Sequence, residues 1–122
     1  MKIADLDLST SCEAPFEFEY VDANGNPTGV LISVIGSHAA SVKEWARKEL
    51  NRMRQQSALN PNAVRTVEDD EAFGIKSAAV RIHSWKGISE ECNYDNAVKL
   101  CSVNIRIREA VIKHSDNIAN FT

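Results

Sequence analysis

Cysteine is scarce in this chain and oddly counted: Cys12, Cys92 and Cys101 are three thiols with no CxxC pair. An odd count without paired spacing argues against a disulfide framework and fits a reducing cytosol. No apolar run approaches the roughly 20 residues of a membrane helix. The opening MKIADLDLST places Asp5 and Asp7 where a signal peptide would carry an apolar core, so the chain is expected to stay in the compartment where it is made. Basic excess is missing as well. Lys and Arg number 14 against 17 Asp and Glu, for a formal net charge of -3. A general duplex-DNA binder needs a basic face against phosphate charge. The one local cluster, Arg47, Lys48, Arg52 and Arg54, reads as the solvated side of a helix. Neither nucleic acid nor a membrane is expected as a partner.

Chemical motifs are equally sparse. His38, His83 and His114 are far apart and match no metal-binding spacing, and Cys92 and Cys101 have no ligand pair beside them. No glycine-rich phosphate loop and no nucleophile elbow is present. His83 and Ser84 are adjacent, and neighbours on a helix point about 100° apart, so adjacency does not make a catalytic pair. The carboxylates at 68–71 and at Glu90 and Glu91 sit where helix starts and solvated loops carry acids. The expectation is no catalytic residue, no metal and no cofactor. An enzyme would need a site assembled only in the fold, with a perturbed His83 or Cys92 in a deep pocket.

What the chain does have is the material of a modest core. At 122 residues and 43% hydrophobic, it reads as one domain over 1–122. Such a chain buries roughly two-thirds of its unfolded surface. Residues 1–15 are polar and mixed and are expected to be ordered only in part. FEFEY then alternates, with Phe16, Phe18 and Tyr20 on one face and Glu17 and Glu19 on the other, the period of a half-buried strand. DANGNPTG follows with turn chemistry at Asn24-Gly25, Pro27 and Gly29. VLISVI is apolar on both faces. Residues 16–35 therefore read as a β-hairpin, which is marginal alone and must pack on the helices that follow.

Three to four helices are predicted. The first starts near Ser37 or Ser41, where Ser41 and Glu44 have capping-box spacing, and carries an apolar stripe through Val42, Trp45, Ala46, Leu50 and Met53. The second begins after Thr66, with Asp69 three residues on. RIHSW at 81–85 either finishes that helix or leaves it as an extended tail. The third opens at Asn93 or Tyr94 and slips in spacing around Ser102 to Asn104, predicting a kink or a break. The fold class is α+β, mostly α: an N-terminal hairpin over about 16–35 packed on helices. A lone hairpin's exposed edge invites pairing with another chain, so a homo-oligomer is plausible.

These pieces together resemble the tail assembly chaperones of long-tailed phages. The resemblance rests on three places and covers most of residues 16–121. An acidic, aromatic strand and a polar turn with PTG lead into VLISVIGSHAASVKEWARKE. RIHSWKGI resembles the family's short Trp-Lys/Asn-Gly-Ile segment after its middle helix. NYDNAVKLC, followed by a helix ending in IANF, resembles the family's closing pattern. Between Glu90 and Asn93 the chain departs from the pattern, where relatives often carry a longer polar insert. The resemblance implies a non-catalytic protein of the host bacterial cytoplasm. Such a protein binds the tape measure protein and often the tail tube protein during tail assembly, and is absent from the mature virion. The alternative is a structural head–tail joining or tail-completion protein. Because VLISVI offers more apolar surface than one helix layer buries, Ile32, Val34, Trp85 and Ile88 are the candidate partner-binding residues.

Overall fold

A computed structural model describes residues 1–122 and shows an α+β fold that is mostly α, 57% helical and 16% strand. After a short 3-10 turn at Ile3–Leu6 come α1 (Leu8–Ser11), β1 (Phe16–Val21), β2 (Pro27–Val34), α2 (Ala40–Leu59), α3 (Val67–Arg81), β3 (Ile82–Lys86), α4 (Tyr94–Val103) and α5 (Ile105–Asp116). A second 3-10 turn, Ile118–Phe121, closes the chain.

The predicted hairpin forms, with Phe16 opposite Val34 and Phe18 opposite Ile32. Its turn is held by one carboxylate: the Asp22 side chain accepts from the amides of Asn24 and Asn26, each at 2.9 Å. Gly25 supplies the positive φ of +83° that the reversal requires. The sheet is larger than the sequence suggests. Residues 82–86 are neither helix end nor free tail. They pair with β2, giving an antiparallel sheet of order β1-β2-β3. Leu31 lies opposite Lys86, Ile32 opposite Trp85 and Ser33 opposite Ser84. The physical reason is the two-sided apolarity of β2. A strand of that kind belongs in the middle of a sheet, and a third strand removes one open edge and adds ladder hydrogen bonds.

The inner face of the sheet packs on the helices. Phe18, Ile32, Val34 and Ile35 join Val42, Ala78, Cys101, Ile107, Val111 and Phe121 in one contiguous buried cluster. Removing a side chain such as Ile32 from water contributes roughly 1.5–3 kcal/mol. Small residues set the helix spacing, because Ala78 and Ala79 are the fully buried positions of α3. The outer face carries Glu17 and Lys86, 3.8 Å apart, with Leu31 and Ser33 half-buried between the flanking strands.

Helix starts show which local signals hold. Thr66 caps α3 in a reciprocal box: its hydroxyl accepts from the Asp69 amide at 3.1 Å, and the Asp69 carboxylate accepts from the Thr66 amide at 3.0 Å. Asn93 caps α4, and Asn104 both ends α4 and caps α5, accepting from the Ile107 amide at 3.0 Å. The spacing slip at 102–104 is therefore a true break. Helix α2 differs from expectation. Its N-cap is Ala39, which has no side chain to offer, and the Ser41–Glu44 box is not made. Glu13 instead accepts from the Ala40 amide at 3.0 Å, a cap delivered from 27 residues away. The expected apolar stripe of α2 is also only partly used. Val42 is buried and Trp45 packs on Phe73 at 5.4 Å, but Leu50 is 49% exposed.

The two chain ends meet beside residues 35–37. Met1, Ile3 and Leu6 are exposed, yet Cys12 is completely buried. The Gly36 amide donates to the Cys12 carbonyl at 2.8 Å, and the Ser37 amide donates to the Ser115 carbonyl at 3.0 Å. The Ser115 hydroxyl donates to the Ile35 carbonyl at 2.7 Å. Phe121 closes over this junction.

Candidate partner-binding surface

The structure divides the four predicted contact residues. Ile32 and Val34 are 0% exposed and belong to the core, so they present no surface to another protein. They share a face with Phe18 and Phe16, and the helix layer covers that face. Trp85 and Ile88 are half-buried and stand side by side in a hollow of about 230 Å³.

Local sequence builds this hollow. Trp85 falls on the inner face of β3, opposite Ile32 in register, so one side of its ring rests on the core. Its indole N–H donates to the Glu90 carbonyl at 2.9 Å, folding the segment after the strand back onto the ring. Gly87 makes the reversal at a φ of +84°, where a Cβ would lie 2.5 Å from the Gly29 carbonyl oxygen. Only glycine fits that conformation and that approach. Asn96 on α4 ties the far end of the loop, donating to the Glu91 carbonyl at 2.8 Å. The loop is thereby fixed at both ends, and Ile88 is held against Trp85. Leu100 and Val103 from α4 complete the apolar wall, with Glu90 and Lys99 at the rim.

Val103 is the residue that sequence reasoning missed. It is 81% exposed, and Ile105 just beyond it is 56% exposed. The available signal was the break itself. Asn104 ends the helical period, so the last apolar residue of α4 is left facing water. A hollow whose floor is a tryptophan and whose lip is an uncovered valine suits an apolar anchor from another polypeptide.

His83 and Cys92 do come together, lining one small hollow of about 160 Å³ beside Tyr94, while His38, His114 and Cys101 lie elsewhere. His83 Nδ1 and Ser84 Oγ are 3.4 Å apart on a strand whose histidine faces solvent. Burial pushes the Cys92 thiol up, outweighing a hydrogen bond from the Trp85 backbone, and pushes the Cys101 thiol to about 11. A raised thiol is the reverse of an activated nucleophile. No group of three His, Cys, Asp or Glu side chains is placed to hold a metal ion. No helix is long and apolar enough to cross a membrane.

No family model, no curated protein and no solved structure matches the chain significantly.

Proposed function

We propose that this chain is a non-catalytic tail assembly chaperone of a long-tailed phage. It binds the tape measure protein, the tail tube protein or both in the host bacterial cytoplasm while the tail is built, and it is left out of the finished virion. The reading draws on the sequence resemblance at residues 16–49, 81–88 and 93–121. The observation that carries it is the segment RIHSWKGI: its Trp85, Gly87 and Ile88 form the tied loop and the apolar hollow against Leu100 and Val103. A holding protein needs this combination, with an uncovered apolar site of modest size and an acidic balance that keeps the complex soluble.

The test is co-purification of the tagged chain with phage tape measure and tail tube proteins. Val103→Glu and Ile88→Glu place a carboxylate in the hollow at exposed or half-exposed positions, so the fold should survive, as circular dichroism would verify. Capture by the wild type and its loss in both variants is the expected result. Folded variants that keep full capture remove the hollow from the mechanism. Finding the chain as a stoichiometric part of purified virions refutes the chaperone reading.

A further inference from the structure

A second, shallow and open depression of about 440 Å³ lies between α3 and α5 and shares no lining residue with the Trp85 hollow. Its apolar walls are Phe73 and Ile112, and three cations, Arg81, Arg108 and Lys113, stand along it. Two features of this cleft have no explanation within the isolated fold.

The first is Gly74. It lies inside α3, where glycine is the poorest helix former after proline. Its φ is not positive, so no turn demands it. A Cβ built there meets nothing within 4 Å, so no packing in this chain demands it either. A bare backbone at an open position is what a close-approaching second backbone requires.

The second is the state of the cations. Arg81 is buried to 14% side-chain exposure; it pairs with Asp116 at 2.7 Å, and its Nε is buried with no acceptor. Arg108, at 16% exposure, has only a loose contact with Glu71 at 3.7 Å, and that carboxylate is 59% exposed. Lys113 makes no ion pair. One further carboxylate, Glu109, lines the cleft. Arg81 is already held by Asp116, Ser115 and Ser77, so the available positive charge is that of the mostly buried, loosely paired Arg108 and the exposed, unpaired Lys113, which together favour an incoming carboxylate.

We propose that the α3–α5 cleft is a docking site for a helical segment of a partner protein whose contact face pairs apolar side chains with carboxylates. The partner backbone crosses at Gly74, its apolar side chains meet Phe73 and Ile112, and its carboxylates reach Arg108 and Lys113. A groove between two helices accepts a third in this way. The inference deepens the proposed function by adding a second contact with the client, and it rests on that reading only for the client's identity.

Two experiments on the full chain test it. In the first, a fluorescein-labelled helical peptide with Leu and Glu on one face is titrated by anisotropy beside the same peptide with Lys for every Glu. The Glu peptide should bind roughly tenfold or more tighter, and Arg108→Glu and Gly74→Leu should each abolish that binding. Gly74→Ala should raise the melting temperature by about 4 °C while weakening the peptide, an opposition that a structural role for the glycine would not produce. Absence of binding, equal binding of both peptides, or full binding by Gly74→Leu overturns the assignment. In the second, wild type and Gly74→Leu are compared for capture of the tape measure and tube proteins. Equal capture by both overturns the cleft as a client contact and leaves the chaperone reading standing. If the wild type captures neither client while the Glu peptide still binds, the chaperone reading fails and the cleft stands.

Discussion

Replacing Gly36 by Ala tests whether the N-terminal segment is an integral part of the body. Gly36 lies two residues past the end of β2, and its amide is bonded to the Cys12 carbonyl at 2.8 Å. An added Cβ would lie 2.5 Å from Cys12 Sγ, 2.6 Å from Cys12 Cβ and 3.1 Å from a ring carbon of Phe121. All three neighbours are buried, with Cys12 at 0% and Phe121 at 6% exposure, so none can swing into solvent. Overpacking of this kind costs about 1–3 kcal/mol. For a chain of this length each kcal/mol moves the melting temperature by about 4 °C, so a loss of roughly 4–12 °C is expected. The clash reaches Cβ as well as Sγ, and Cys12→Ala should therefore relieve little of it. Cys12→Gly removes both offending atoms. In a double-mutant cycle followed by thermal unfolding, the Gly36→Ala and Cys12→Gly losses should be less than additive by about 1 kcal/mol or more. Additive losses, or a Gly36→Ala variant within about 0.5 kcal/mol of wild type, would show that residues 8–14 do not dock on Gly36.

Three further outcomes follow from the same structure. Ser115 is 1% exposed and donates to the Ile35 carbonyl; Ser115→Ala should cost about 1–3 kcal/mol in urea unfolding through the unpaired carbonyl, and a loss below about 0.5 kcal/mol would mean that water replaces the hydroxyl. Glu13→Ala removes the remote cap of α2 and should cost about 1 kcal/mol, with amide exchange accelerated at Ala40 and its neighbours; unchanged exchange there would refute the cap. His114 stacks on Phe18 at 4.4 Å, and burial, with Lys113 second, holds its imidazole below its ordinary value of 6.5. A depressed native value means that the unfolded chain takes up the proton first, so stability is full above 6.5 and falls as pH drops from there towards the native value. His114→Phe keeps the stacking and should flatten that fall, and an unchanged slope of stability against pH between about 7 and 5 would sink the assignment.

The local signals in this sequence were readable where one residue and its neighbours within four positions decide the outcome. The alternation of Phe16 to Tyr20, the Thr66–Asp69 box, the start at Asn93 and the break at Asn104 are all of that type. What was not readable came from partners distant in the chain. Ser41 and Glu44 have the right spacing for a cap, but the chain reverses at Gly36 onto Cys12 and brings Glu13 to the Ala40 amide first. Residues 82–86 are too few to announce a strand, and their pairing partner lies some fifty positions earlier.

Half of the candidate site was also misplaced. Two-sided apolarity in β2 suggests surplus surface. Ile32 and Val34 share a face with their cross-strand partners Phe18 and Phe16, and the helices cover that face, so they are required inside. The apolar side chains that remain uncovered include Val103 and Ile105, where a helix stops, as well as Leu59, Val64 and Val67 around the α2–α3 turn and Met1, Ile3 and Leu6 at the start of the chain. The break beside Val103 serves the Asn104 cap of α5 and its bond to Tyr20, whereas no packing within the chain calls for Gly74. A sequence optimised for the isolated fold would carry Ala at 74 and a polar residue at 103. Gly at 74 lowers the helix propensity of the free chain and Val at 103 leaves apolar surface in water, costs that the proposed partner contacts would offset.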